Sequence, residues 1–326
     1  MGLVVLGVGA MVAVLASVRW GAVGIDLADV VAALRGRGDP AVVTIVRELR
    51  LPRALLAALV GGGLGLAGAT FQALLRNPLA EPYVLGVSSG AAVGAVGAIG
   101  LGAASGWGLP VGALAGALVA IALVLTIALR VDRRLDLRVL LLAGVVAGTF
   151  FNALILILLA FQEADAFRSA LFWMMGSLAG ADWNRVAFLS ALVVPSLLIL
   201  IALARSFDLL AFGEETAGYL GSAPARVHRT AYLVASLLTA GAVVVAGAIG
   251  FVGLVVPHAV RLVWGGEHRF LMPASFLVGA AFLALADVAA RLVVAPAELP
   301  LGVVTALVGV PFFLVLLRRQ AARIAP

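Results

Sequence analysis

Long stretches without a single Asp, Glu, Lys or Arg dominate this chain, and a helix that crosses the hydrocarbon core of a bilayer needs about 20 mostly apolar residues. Met1 to Val18 and Ala54 to Leu75 each supply one such run. Val84 to Leu129 is long enough for two, with Trp107-Gly108-Leu109-Pro110 as the turn between them. Val139 to Gln162 and Val186 to Ala204 are the fifth and sixth. Thr230 to Val260 is too long for one ordinary span and too short for two full ones, and Gly247-Ala248-Ile249-Gly250 marks a break inside it. Phe270 to Ala290, interrupted only by Asp287, and Leu299 to Leu317 bring the count to nine or ten. With 64% hydrophobic and 12% charged residues in 326, against about 25% charged in soluble domains, the chain reads as an all-α polytopic membrane protein. Residues 1–326 are expected to form a single transmembrane domain.

The charges set the topology and exclude several chemistries. All 22 basic residues are arginine, and a chain without lysine has neither a Walker A phosphate loop nor a Schiff-base amine. Without cysteine it has no disulfide, thiolate metal site or cysteine nucleophile. The arginines lie between apolar runs and not in one patch, so the net charge of +6 does not point to nucleic acid. Short loops rich in arginine stay in the cytoplasm. If Arg130, Arg133, Arg134 and Arg138 are cytoplasmic, ten spans also put Arg261, Arg269, Arg318, Arg319 and Arg323 inside, whereas nine put them outside. The expectation is therefore ten spans with both termini cytoplasmic, and no cleavable signal peptide, since no basic segment precedes the first span. Six of the nine outer arginines fall in or beside Arg19 to Arg53. That segment reads either as a dock for an acidic partner or as a longer translocated loop, which obeys the charge rule poorly.

The small-residue spacings Gly61/Gly65, Gly90/Gly94 and Gly112/Gly116 let helix backbones approach closely and are read as packing. Between Arg205 and Arg229, Phe212 to Gly221 fits a short helix ending at a glycine cap, either a contact for a soluble motor subunit or an ordinary solvated helix. Arg76-Asn77-Pro78-Leu79-Ala80-Glu81-Pro82 cannot continue a helix and forms a rigid turn, as a gate or as a stiff connector. Gly86-Val87-Ser88-Ser89-Gly90 matches the hydrolase G-x-S-x-G pattern but opens an apolar helix, without the strand, histidine and acid that the motif requires. His228, His258 and His268 lack metal-site spacing, so neither catalysis nor a metal site is expected. Asp287 is an intramembrane carboxylate, by default a candidate ion or proton site. Arg291 lies four residues on, at the spacing of a helical ion pair, which is the favoured reading.

Arg50-Leu51-Pro52-Arg53, Gln72 to Pro82, and Leu85-Gly86-Val87-Ser88-Ser89-Gly90-Ala91 resemble the FecCD-type permease family of bacterial ABC importers for iron-siderophores, haem and vitamin B12. So do Gly250 to His258, Ala286-Asp287 with Ala290-Arg291, Glu298 to Thr305, and Gly309-Val310-Pro311-Phe312-Phe313. The resemblance covers nearly the whole chain in order and implies ten helices per subunit with the type II importer architecture. The implied partners are a second copy of the chain, two ATP-binding subunits, a periplasmic or lipid-anchored substrate-binding protein and membrane lipid. The implied place is the bacterial plasma membrane. ATP and Mg would be bound by the partner subunits, with no cofactor on this chain and no covalent chemistry.

The same resemblance gives roles to residues. Arg50, Arg53 and Arg291 match outward arginines that meet glutamates of the binding protein. Glu215, Ala217 and Gly221, with Glu214 beside them, fit the Glu-x-Ala-x-x-x-Gly form of the coupling loop. Asn77 and Leu79 would stand at the cytoplasmic gate. Thr149 and Asn152 on the fifth span, and Met174 and Met175 on a short outer helix near Phe167 to Ser177, are candidates for the pathway wall, or for plain helix packing. Transport would be alternating access, and spans two to five and seven to ten enter the bilayer from opposite sides, as in an inverted repeat. The motifs do not choose among ferric siderophore, cobalamin and haem, and ferric siderophore is taken first as the commonest class. The rival from another class is an ion-gradient-driven secondary transporter using Asp287.

Overall fold

The computed structural model describes residues 1–21, 23–103, 106–131 and 136–324. Arg133 and Arg134, used above for topology, lie outside them. Among the described residues the secondary structure is helical, without strands. Helix α1 (Gly2–Arg19) is followed by the short α2 (Leu27–Leu34) and α3 (Pro40–Thr44). A π-helical stretch (Ile45–Arg50) then leads without interruption into α4 (Leu51–Leu74). Pro52, at the start of α4, has no N–H to give to the preceding turn, and the wider π turn accommodates that gap. The helices α5 (Val87–Gly100), α6 (Gly108–Val131), α7 (Leu137–Ala160), α8 (Ala164–Met174) and α9 (Trp183–Ala202) follow. Next come the small α10 (Ala204–Leu210) and α11 (Glu214–Tyr219), then α12 (Pro224–Ala246), α13 (Val252–Trp264), α14 (His268–Leu292) and α15 (Leu301–Ile324).

Seven described helices are long and apolar enough to cross a membrane, and Val87–Gly100, Val252–Trp264 and Leu301–Val315 are shorter apolar helices. The expected break inside Thr230 to Val260 is present, because α12 ends at Ala246 and α13 begins at Val252. The short helix placed near Phe167 to Ser177 starts earlier, at Ala164, and stops at Met174, since Gly176 takes a left-handed φ of 78° that ends the helical turn.

Helix α4 is the hub of the bundle. Its most apolar stretch is 83% buried, against 22% for that of α1. Glycines make this possible. A Cβ on Gly68 would overlap the Gly253 backbone of α13, and one on Gly61 would overlap the Gly279 carbonyl of α14. Helices α5 and α6 meet in the same way through Gly90, Gly94, Gly112 and Gly116, so the spacings read as packing are packing.

This contact is sharp enough to test. Gly94→Ala drives a methyl group into the Gly112 carbonyl and is expected to cost about 1–3 kcal/mol by overpacking. Gly97→Ala on the same helix meets nothing within 4 Å and is expected to be neutral, or to gain up to about 1 kcal/mol from helix propensity. Thermal unfolding of both variants in lipid nanodiscs separates them, and equal behaviour would refute the close contact.

Candidate functional site

Three polar groups of residues and one apolar cavity make up the candidate site. The first stands where α4 begins and α14 ends. The last carbonyls of α1 have no helical partner, and two arginines from elsewhere in the chain satisfy them. Arg50 donates to the carbonyls of Val18 (3.2 Å) and Arg19 (2.9 Å), and also to that of Val23. Arg291 donates to the carbonyls of Trp20 (2.9 Å) and Ser17 (3.1 Å) and to the Ser17 hydroxyl (3.0 Å). Cations at a helix C-terminus also meet the negative end of its dipole. Both arginines are buried, at 6% and 7% exposure.

Arg53 completes this group. Its Nε lies 3.0 Å and its Nη2 2.9 Å from Asp287 Oδ1, while its Nη1 and Nη2 reach the two carboxylate oxygens of Glu298 at 2.9 and 2.8 Å. Asp287, 1% exposed, is also held by Arg291 Nε at 3.0 Å. The expected Asp287–Arg291 pair is thus present, and Arg53 is a second cation on the same carboxylate. Both of its oxygens are held by guanidinium groups, so Asp287 is the shared anion of two arginines. The Arg53 guanidinium holds the Glu298 carboxyl below the usual carboxylate range. Glu298 as a partner of Arg53 was not legible from local spacing, since 245 residues separate the two.

The second group stands at the opposite end of α4. Asn77 closes its turn by accepting the Leu79 N–H on Oδ1 (2.9 Å), and both residues are exposed. The turn is fastened to the broken segment between α12 and α13. Glu81 Oε1 accepts the Phe251 N–H at 2.9 Å, and the Tyr83 hydroxyl donates to the Ile249 carbonyl (2.9 Å) and accepts from its N–H (2.8 Å). Gln72 adds a bond to the Leu254 carbonyl (3.1 Å) and accepts from Arg261 (3.2 Å). Phe251 has a left-handed φ of 68°, uncommon for a side chain of its size, and these bonds hold it there. Sequence reasoning missed Gln72, Glu81 and Tyr83 as a clasp. Their signal was polar side chains crowded around a proline-rich turn in an otherwise apolar stretch.

The third group is a cavity of about 590 Å³ between α8, the 247–251 break and α15. Met174 and Met175 line it, with Phe251 and Pro311 opposite, so its wall is apolar and soft. Thr149 and Asn152 are not brought to it. They lie on an exposed face of α7, beside Val145, Val146 and Leu156.

The fourth group is the α10–α11 loop. Ala217 is fully buried, whereas Glu214, Glu215, Tyr219 and Gly221 are exposed, and Gly221 turns the chain with a φ of 85°. Asp208 of α10 binds the His268 ring (2.6 Å) and backbone N–H (3.1 Å), which fastens this loop to the first turn of α14.

Removing the shared carboxylate tests the first group. Asp287→Asn would leave Arg53 and Arg291 buried without their common anion, and breaking such a pair is expected to cost about 3–5 kcal/mol, read as a fall in thermal stability. A variant of unchanged stability with lost ion dependence would restore the ion-site reading.

Known proteins resemble the chain along most of its length. The ABC transporter permease protein YvrB of Bacillus subtilis is 42% identical over 289 residues, 87% of this chain and 82% of the relative. The cobalamin import system permease protein BtuC of Halobacterium salinarum is 44% identical over 279 residues, 86% of this chain and 74% of the relative. A solved inward-facing structure, described as a metal-chelate type ABC transporter, matches with a TM-score of 0.88 at 32% identity, over 97% of this chain and 98% of that one. The sequence model of the FecCD transport family matches residues 9–319, so the chain, a multi-span transport permease, belongs to that family.

Proposed function

We propose that this chain is the transmembrane subunit of a binding-protein-dependent ABC importer, a homodimer in the bacterial inner membrane that works with two ATP-binding subunits. The observation that carries the reading is the spread of polar groups over the two ends of an apolar bundle, at the positions where the family motifs lie: arginines at one end, a turn and an acidic loop at the other. With both termini cytoplasmic and ten spans, made of the seven long helices and the three short ones, the Arg53 end faces out and the Asn77 end faces in.

In this reading Arg53 meets an acidic side chain of the substrate-binding protein, while Arg50 and Arg291, buried on the carbonyls of α1, hold the docking surface in shape. Exposed Phe212 and Tyr219 flank Glu214 and Glu215 and give the ATP-binding subunit an apolar and acidic contact. Motion there reaches α14 through Asp208 and His268, and alternating access follows as the clasped turn at Asn77 and Leu79 opens and closes. Asn152 facing hydrocarbon would be costly, which supports a second copy, or a water-filled path between copies, against this face of α7. ATP and Mg belong to the partner subunits. The cargo is a metal chelate. Cobalamin comes first, supported by the relatives named for it, ahead of the ferric siderophore taken first as the commonest class of the family, with haem third.

The test is ATP hydrolysis by the assembled transporter in nanodiscs, with and without binding protein loaded with cobalamin, ferric chelates or haem. Stimulation by one loaded protein supports the importer and names the cargo. Hydrolysis indifferent to every loaded protein would sink the reading. Glu215→Arg reverses a charge at the motor contact and is expected to cut stimulated hydrolysis more than about tenfold, because a like-charge contact costs several kcal/mol. The permease itself should stay folded.

A further inference from the structure

We propose that Glu298 is a built-in competitor for the docking arginine. Its carboxylate occupies the edge of Arg53 that a carboxylate of the soluble partner takes in the docked complex, and docking exchanges one for the other. The inference rests on the docking role given above to Arg53.

Arg53 shares its guanidinium between two carboxylates of very different exposure, Asp287 at 1% and Glu298 at 39%. The inner one is fixed, because Arg291 holds it too. The outer one is a two-bonded fork at 2.9 and 2.8 Å, a geometry that any planar carboxylate reproduces. A partner's Glu or Asp can therefore take the place of Glu298 while Asp287 keeps the guanidinium aimed outward. Among the described residues Glu298 has no other hydrogen-bonding partner to hold it in place.

Charge favours a replacement over simple loss. Arg53 and Arg291 share Asp287 and Glu298, with Arg50 beside them on the carbonyls of α1, so withdrawing Glu298 alone leaves the cluster more positive, and an incoming carboxylate restores it. The exchange also lies close to the pathway. Beyond Glu298 the chain runs to Leu301 and Gly302, whose N–H groups bind the carbonyls of Gly176 (2.9 Å) and Met175 (3.0 Å) at the edge of the cavity.

The sign of the effect separates competition from a structural role. Removing a stabilising ion pair would weaken docking or leave it alone, whereas removing a competitor strengthens it. The experiment is equilibrium binding of the substrate-binding protein that stimulates hydrolysis in the assay above to the complete transporter in nanodiscs, at low ionic strength. Glu298→Gln is expected to bind it about two- to fivefold tighter, the range set by a part-exposed ion pair. Glu298→Asp, whose shorter side chain strains the fork, should shift the affinity in the same direction and serves if the first variant proves unstable. No gain is expected from Glu298→Gln in an Arg53→Gln background. Glu48→Gln should also give none, since Glu48 is an exposed acid on the same segment without a bond to Arg53.

If Arg53→Gln alone leaves the affinity unchanged, the docking reading fails. If Arg53→Gln weakens binding but Glu298→Gln does not tighten it, the competitor is overturned and the docking reading stands. An equal gain from Glu48→Gln, or in the Arg53→Gln background, overturns it as well, because the cause is then net charge.

Discussion

Helix α4 can lie backbone to backbone against α13 and α14 because its middle is glycine-rich, and the other polar features take their positions from that contact. Lipid offers no hydrophobic drive for helices to associate, so close van der Waals packing has to supply it. Gly61, Gly65 and Gly68 meet Gly279, Ser275 and Gly253 at distances no side chain would allow. Fixing α4 against α14 sets Arg53 beside Asp287, far apart in sequence. Fixing it against α13 sets the turn beyond α4 beside the break before α13, where Glu81 and Tyr83 close the clasp.

The two ends of α4 therefore hold opposite kinds of site. At one end charge is buried and mutually satisfied: three guanidinium groups, two carboxylates and the free carbonyls of α1 form one network. Such burial is tolerable only when each partner is present, which makes the cluster rigid except at its single well-exposed member, Glu298. At the other end the bonds run from side chains to backbone in irregular segments. Broken helices survive at membrane depth only where protein or water satisfies the freed groups. Glu81 and Tyr83 perform that task for the 247–251 break, and the soft cavity lies against it.

Helix α14 runs the length of the bundle between these ends. Its first turn is tied to the α10–α11 loop through His268 and Asp208, and its last turns carry Asp287 and Arg291. A single helix packed on α4 thus touches both the loop assigned to the motor subunit and the cluster assigned to the binding protein. That arrangement gives a physical route for coupling without any chain of contacts through loops.

Much of this was legible from the residues in order. Uncharged runs placed the spans, because the bilayer imposes a length; glycines at four-residue spacing marked the close contacts; and Asp287 with Arg291 announced a pair, because a helix brings those positions together. Local rules stop where partners come from distant segments. Nothing in Arg50-Leu51-Pro52-Arg53 says that the first arginine caps α1 while the other meets Asp287 and Glu298, since that depends on the π turn and on where α14 lies. Thr149 and Asn152, read with Met174 and Met175 as candidates for the pathway wall, lie on an exposed face of α7 outside the cavity that the two methionines line. The sequence by itself determined a helical membrane protein of the FecCD kind, because hydropathy and turn chemistry act over a few residues. Only the tertiary structure decided which charges are satisfied within the chain and which remain available to a partner, because that depends on how helices distant in sequence pack.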